Sequence, residues 1–170
     1  METSYMVELL SVNEKDALQF FMTGLSDVSE PDVDRDELLY NASVLAHFSQ
    51  VSTSPALDFP TPSTLQAVFE NFVFDTTFRG DPIIMETAGA QCLLLTGFFG
   101  DQMRGRHNVD WFANLGAGFL HQAAVRHDHQ RRSLLLSNVA NKFDLWRNRH
   151  VKLSRELRDM PYLLQIPPQV

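Results

Sequence analysis

Residues 131–158 read RRSLLLSNVANKFDLWRNRHVKLSRELR. Leu136, Val139, Phe143, Trp146, His150, Leu153 and Leu157 recur in this stretch at alternating steps of three and four. At 100° per residue these positions share one helical face, while most of the charged residues between them point elsewhere. A strand cannot hold the pattern, because its successive side chains alternate between two faces. The spacing predicts one long C-terminal helix with a heptad-like seam, stopped by Pro161 and the pair Pro167-Pro168.

Working outward, the other segments obey the same period. Asn13 is a good N-cap for a first helix that carries Ala17, Leu18, Phe20 and Phe21 and stops near Gly24. DELLYNASVLAHFSQ, residues 36–50, places Leu38, Ala42, Leu45 and Phe48 on an apolar face. VSTSPALDFPTPS, residues 51–63, is a connection rather than a linker between domains. A third helix starts near Thr61-Pro62 or Ser63 and carries Leu65, Val68, Phe69, Phe72 and Val73. Asp81-Pro82 opens a fourth that reaches about Phe99, and Asn108 caps a fifth that reaches about His127. No segment alternates with period two between hairpin turns. The expected fold is all-α: a single domain over residues 1–170, a bundle of about six helices with a long last one.

Composition bounds the function. A hydrophobic fraction of 44% and a charged fraction of 21% are those of an ordinary globular chain. Thirteen Phe against three Tyr and two Trp favour aromatic rings in a core over an aromatic recognition surface. A single Cys excludes an intrachain disulfide and a multi-cysteine zinc site. Cys92, inside QCLLL, is expected to be a buried, inert thiol. The N-terminus lacks a basic region, and the most apolar window, PIIMETAGAQCLLLTGFF, is interrupted by Glu86, Thr87, Gln91 and Thr96. Its apolar runs fall short of the roughly 20 residues of a membrane helix, so a cytoplasmic protein with no membrane association is expected.

The net charge of −7 conceals two halves. Residues 1–100 hold 15 acidic and 3 basic side chains, a net of −12; residues 101–170 hold 6 and 11, a net of +5. Such halves attract each other within a fold or between subunits. The overall acidity, and the spread of Lys142, Arg147, Arg149, Lys152, Arg155 and Arg158 around most of the last helix, disfavour nucleic acid as a partner.

Candidate chemistry gathers in residues 100–121, GDQMRGRHNVDWFANLGAGFLH. Arg104, Arg106 and His107 precede a helix N-terminus, where free N–H groups favour anions. The lysine and hydroxyl of a P-loop are missing, and Asp110 competes with an anion there. A solvated turn that pairs with the acidic half explains the same residues. His107, Asp110, Asn114, Gly118 and His121 form one polar stripe, the candidate ligand-binding face. His107 and His121 lie about 20 Å apart along a straight helix, so a metal would need ligands from elsewhere, such as Glu86 or His47. The paired Glu-x-x-His pattern of di-iron bundles is absent, and no metal or other cofactor is expected.

Gly116 and Gly118 each cost a helix about 1 kcal/mol relative to alanine. Close approach of another helix would offset that, with Trp111, Phe112, Leu115, Phe119 and Ala123 as the packing face. His127-Asp128-His129 is a poor chelate, because neighbouring positions point to different faces. His150, inside the seam, is expected to be a hydrogen-bonded core residue. No G-x-S-x-G is present and no catalytic residue can be named.

Residues 93–124, LLLTGFFGDQMRGRHNVDWFANLGAGFLHQAA, resemble a family of uncharacterised bacterial all-helical proteins. The shared pattern is an apolar L-x-L-T-G-F-F segment, a short basic turn, an aromatic pair, and a glycine with a later aromatic residue in the next helix. The resemblance implies a bacterial source and brings no activity. The resulting expectation is a helical protein, not assigned as an enzyme, that acts through protein–protein contact or as a homodimer. The alternative is a small-molecule or metal-binding protein with its site at Arg104, Arg106, His107, Asp110, Asn114 and His121.

Overall fold

The structure, a computed structural model, describes residues 2–52, 81–105 and 108–159. All of its regular elements are helical: α1 Glu2–Asp27, α2 Arg35–Ser52, α3 Pro82–Leu93, a π-helical turn Leu94–Phe98, α4 Gly100–Met103, α5 Val109–Arg126, α6 Gln130–Asn141 and α7 Phe143–Asp159. No strand occurs among the described residues, so the fold is all-α. The expected helix over Leu65–Val73, Arg106 and His107, and the terminal prolines lie outside the described residues.

Local chemistry explains the helix starts. Asp34 Oδ1 accepts from Glu37 N at 3.0 Å ahead of α2. Asp81 accepts from Ile83 N and Ile84 N, with Pro82 at the first helical position of α3. Asn108 Oδ1 accepts from Trp111 N at 3.1 Å at the start of α5. Each bond satisfies a backbone donor that the first helical turn leaves free. The cap at Asn13 is not used, because α1 already begins at Glu2. Residues 2–12 hold neither Gly nor Pro, so nothing there stops the helix.

Two other expectations need correction. The fourth helix does not run unbroken to Phe99. It widens at Leu94–Phe98, where Phe99 N donates to Leu94 O at 2.9 Å. A methyl at Gly97 would lie 2.7 Å from His150 Cβ and 3.2 Å from Arg147 O, so this turn presses directly on α7. The single last helix is two helices. Lys142 leaves helical geometry (φ −108°, ψ 26°) between α6 and α7, while its carbonyl still accepts from Trp146 N at 2.9 Å. The seam keeps its spacing across this one-residue break, which is why periodicity cannot detect it.

All seven seam residues are buried in the chain's own core. One contiguous apolar cluster takes side chains from every helix, including Leu25, Leu45, Met85, Met103, Leu120, Leu136 and Trp146. α3 packs along α5, and Gly116 is a point of close approach between them. A methyl there would overlap Cys92 Cβ and sit 2.7 Å from Phe143. Gly118 has nothing within 4 Å of the same position. The two glycines therefore have different explanations, and only Gly116 is a packing glycine. Trp111 also leaves the expected packing face: it is 47% exposed, its ring edge-on to Phe112 at 4.9 Å.

The charge asymmetry is spent partly within the fold. Arg131 pairs with Asp36, Arg132 with Glu86, and Lys142 with Glu37, each joining the basic half to the acidic one. Arg147 bonds Asp144 and Asp110, Arg149 lies over the Trp146 ring, and Arg155 and Arg158 hold Asp101. The Asp101 carboxyl is held well below the usual carboxylate range by its bonds to Arg155 and then Arg158. No helix among the described residues is long and apolar enough to cross a membrane.

Candidate functional site

The polar stripe of α5 faces outward. Asp110 is 84% exposed at its side chain and is used by Arg147 at 3.2 Å. Asn114 and His121 are exposed, as is Arg104 on the preceding turn. A hollow at Met22 and Leu38 and a larger one at Tyr40 and Glu86 are both lined by other residues. The stripe is not brought together with Glu86 or His47, the side chains that a metal there would have needed. Among the described residues no group of three or more His, Cys, Asp or Glu is placed to hold a metal ion.

A large concave surface lies elsewhere, between α2, α3 and α6, with the turn between α5 and α6 at its end. It is an open groove of about 1040 Å³, at the upper end of the range for small-molecule sites. α2 contributes Tyr40, Val44 and His47, spaced as one helical stripe. α3 contributes Ile83, Glu86, Ala90 and Gln91, and α6 contributes Arg132 and Leu135. His127 and His129 bring the histidines of the HDH turn to the same groove. α3 can serve both core and groove because it is apolar around most of its circumference: Met85, Ala88 and Cys92 face inward while Ile83 and Ala90 face the groove.

Three side chains that line this groove carry buried polar atoms with no hydrogen-bond partner among the described residues: Tyr40 Oη, Gln91 Oε1 and His127 Nε2. Tyr40 is 6% exposed, and burial pushes its phenol well above the ordinary range, with the Glu86 carboxylate adding to the shift and Arg132 opposing it. The Arg132 guanidinium lies over the Tyr40 ring, 5.4 Å from its centroid. Glu86 bonds Arg132 through Oε1. Its Oε2 is 3.5 Å from His127 Nε2, within ion-pair reach but without hydrogen-bond geometry. The small hydroxyls of the groove are satisfied by their own helices: Ser43 donates to Leu39 O at 2.7 Å and Thr87 to Ile83 O at 2.9 Å.

A second buried polar set lies on the other side of α2. Glu37 is 2% exposed and accepts from Trp146 Nε1 at 3.0 Å and from Lys142 Nζ at 2.9 Å. Asn41 donates to Glu37 O and holds His150 Nε2 at 2.9 Å through its Oδ1. Because an amide oxygen only accepts, this bond puts the proton on Nε2 and leaves Nδ1 as a bare acceptor. Nδ1 is buried without a partner. Burial pushes His150 down to about 3, so the ring is neutral. His150 is thus the expected core histidine, and Cys92 is the expected inert thiol, fully buried and raised well above its ordinary value by burial.

Sequence reasoning singled out Glu86 only as a possible borrowed ligand, and it passed over Tyr40, Gln91 and Arg132 as site residues. One signal was available. A helix as apolar on all sides as residues 82–99 must have neighbours on more than one face, and a polar side chain on it must then meet one of them.

The fold and groove define an all-α protein with a lateral, mostly apolar cleft. Comparison of the chain with family models, with curated proteins and with solved structures finds no match.

Proposed function

We propose that this chain is a ligand-binding helical protein whose site is the groove between α2, α3 and α6. One observation carries the reading: Tyr40 and Gln91, from two separate helices, line one mostly apolar groove, and among the described residues their Oη and Oε1 atoms are buried without hydrogen-bond partners. Buried polar atoms are nearly always hydrogen-bonded, and each one left alone costs about 1–3 kcal/mol. A ligand that supplies the missing partners recovers that cost. The reading moves the expected pocket from the α5 stripe to the opposite side of α3. It requires no catalytic step, and a cytoplasmic, bacterial setting belongs to the same proposal.

The test is binding of the uncharged dye Nile red. The wild-type chain should enhance its fluorescence saturably. Ala90→Trp, which puts a large ring into the groove, should abolish the signal while the far-ultraviolet spectrum stays helical. Undiminished binding in that variant removes the groove as the site.

A second reading, self-association, rests on the outer face of α5. Gly118, half-buried, has open space beside it in the middle of that helix, between Trp111 and Val125, which is 84% exposed. A second copy of the helix could approach closely there. The 136–157 seam no longer serves this reading, since the chain itself covers it. Light scattering at micromolar concentration should give twice the chain mass, and Trp111→Glu should return it to one. A monomer in both removes the reading.

A further inference from the structure

The charges of the groove point to the class of ligand. Its permanently charged side chains cancel two by two: Arg131 with Asp36, and Arg132 with Glu86. Neither arginine is left waiting for an anion, and neither carboxylate for a cation. A charged ligand would give up part of its hydration and find its countercharge already taken. The unmet requirement is of another kind. Tyr40 Oη has a proton to donate and Gln91 Oε1 a lone pair to offer, and both are buried. Around them Leu39, Val44, Ile83, Leu94 and Leu135 supply an apolar wall.

Resting on the groove as the ligand site, we infer that the ligand is an uncharged molecule with an apolar body and a carboxamide-type head. Its carbonyl accepts from the Tyr40 hydroxyl and its N–H donates to Gln91 Oε1. A carboxylate offers only acceptors and leaves Gln91 unanswered. An ammonium offers only donors; the Tyr40 oxygen can accept one, but the Tyr40 proton is then left without an acceptor. A purely apolar molecule answers neither.

The experiment displaces Nile red with three compounds of one body: 4-butylbenzamide, 4-butylbenzoate and 4-butylbenzylamine. The amide should compete about tenfold better than either charged analogue, the size of effect one unanswered buried partner produces. Tyr40→Phe and Gln91→Leu should each shrink that preference to about threefold or less, with every competition referred to that variant's own dye affinity. Equal or better competition by the benzoate or the benzylamine overturns the inference, as does a preference that survives both substitutions. Displacement by none of the three, with dye binding still sensitive to Ala90→Trp, overturns the amide class and leaves the groove standing. Dye binding insensitive to Ala90→Trp overturns the groove itself, and the ligand class with it.

Discussion

α2 sends polar side chains to two sides, and the two sides end differently. Glu37 and Asn41, one turn apart, reach Lys142, Trp146 and His150, and each finds a partner. Tyr40 lies between them in sequence but faces the groove, and its hydroxyl finds none. Both sides are buried, so exposure does not separate them. What separates them is whether the polar groups of α2 itself are completed. On the first side they are, and their bonds hold α2 against α7, although His150 Nδ1 at the far end of the network is left without a partner among the described residues. On the groove side the set is incomplete, which lowers stability and points to a use outside the folding of the chain.

The largest expected effect tests the completed side. Trp146→Ala removes a fully buried ring and the donor that Glu37 accepts from. It should lower the unfolding free energy by about 3–5 kcal/mol, read from the urea midpoint. A loss below about 1 kcal/mol, the size of a surface change, would mean that this side is not the structural one.

His150 sharpens the same side through pH. Its folded value, about 3, lies below the ordinary 6.5. Below pH 6.5 the unfolded chain therefore binds a proton that the folded chain refuses, and stability falls as pH falls toward 3. The slope approaches about 1.4 kcal/mol per pH unit. The groups around the ring are Asn41 from α2, Gly97 from the π-helical turn, and Glu37 and Lys142 beyond Asn41. Denaturation between pH 6 and 5 should show this slope in the wild type and lose it in His150→Gln. An equal slope in both would assign the dependence to other groups.

Tyr40→Phe tests the incomplete side and should carry the opposite sign. Deleting an unpartnered hydroxyl should raise stability by about 1 kcal/mol, because nothing bonded is lost. Destabilisation would show that the hydroxyl is already satisfied, and the contrast between the two sides would fail.

The smallest effect repeats the comparison on α5. Gly118→Ala, facing open space, should stabilise by about 0.5–1 kcal/mol, as expected for a helix interior. Gly116→Ala faces Cys92 and Phe143 and should destabilise despite the same propensity gain. Thermal melts of the pair should move in opposite directions.

Much of the fold could be read from local chemistry. Asp81-Pro82 and Asn108 start helices as expected, because a cap involves only residues three or so apart. The seam from Leu136 to Leu157 is buried throughout, because period reports which face meets the core. The start of α1 at Glu2 and the break at Lys142 were missed. The first follows from the absence of any stop signal, and the second is one residue that leaves the period intact. The candidate residues differ in the same way. His107, Asp110, Asn114 and His121 fall at helical spacing in the sequence, where a linear pattern shows them together. Tyr40, Gln91, His127 and Arg132 come from separate elements, and no spacing relates them.

The sequence alone determined that the chain is helical, where several helices begin, and which face of the C-terminal stretch is buried. These follow from interactions between residues a few positions apart, which a linear pattern records. Only the tertiary structure decided that the seam is covered from within, that Gly116 is a packing glycine and Gly118 is not, and that the polar groups of α2 are completed on one side alone. Those outcomes depend on which surfaces face each other across long stretches of chain. Whether a buried polar atom has a partner is a property of that meeting, and neither residue carries it alone.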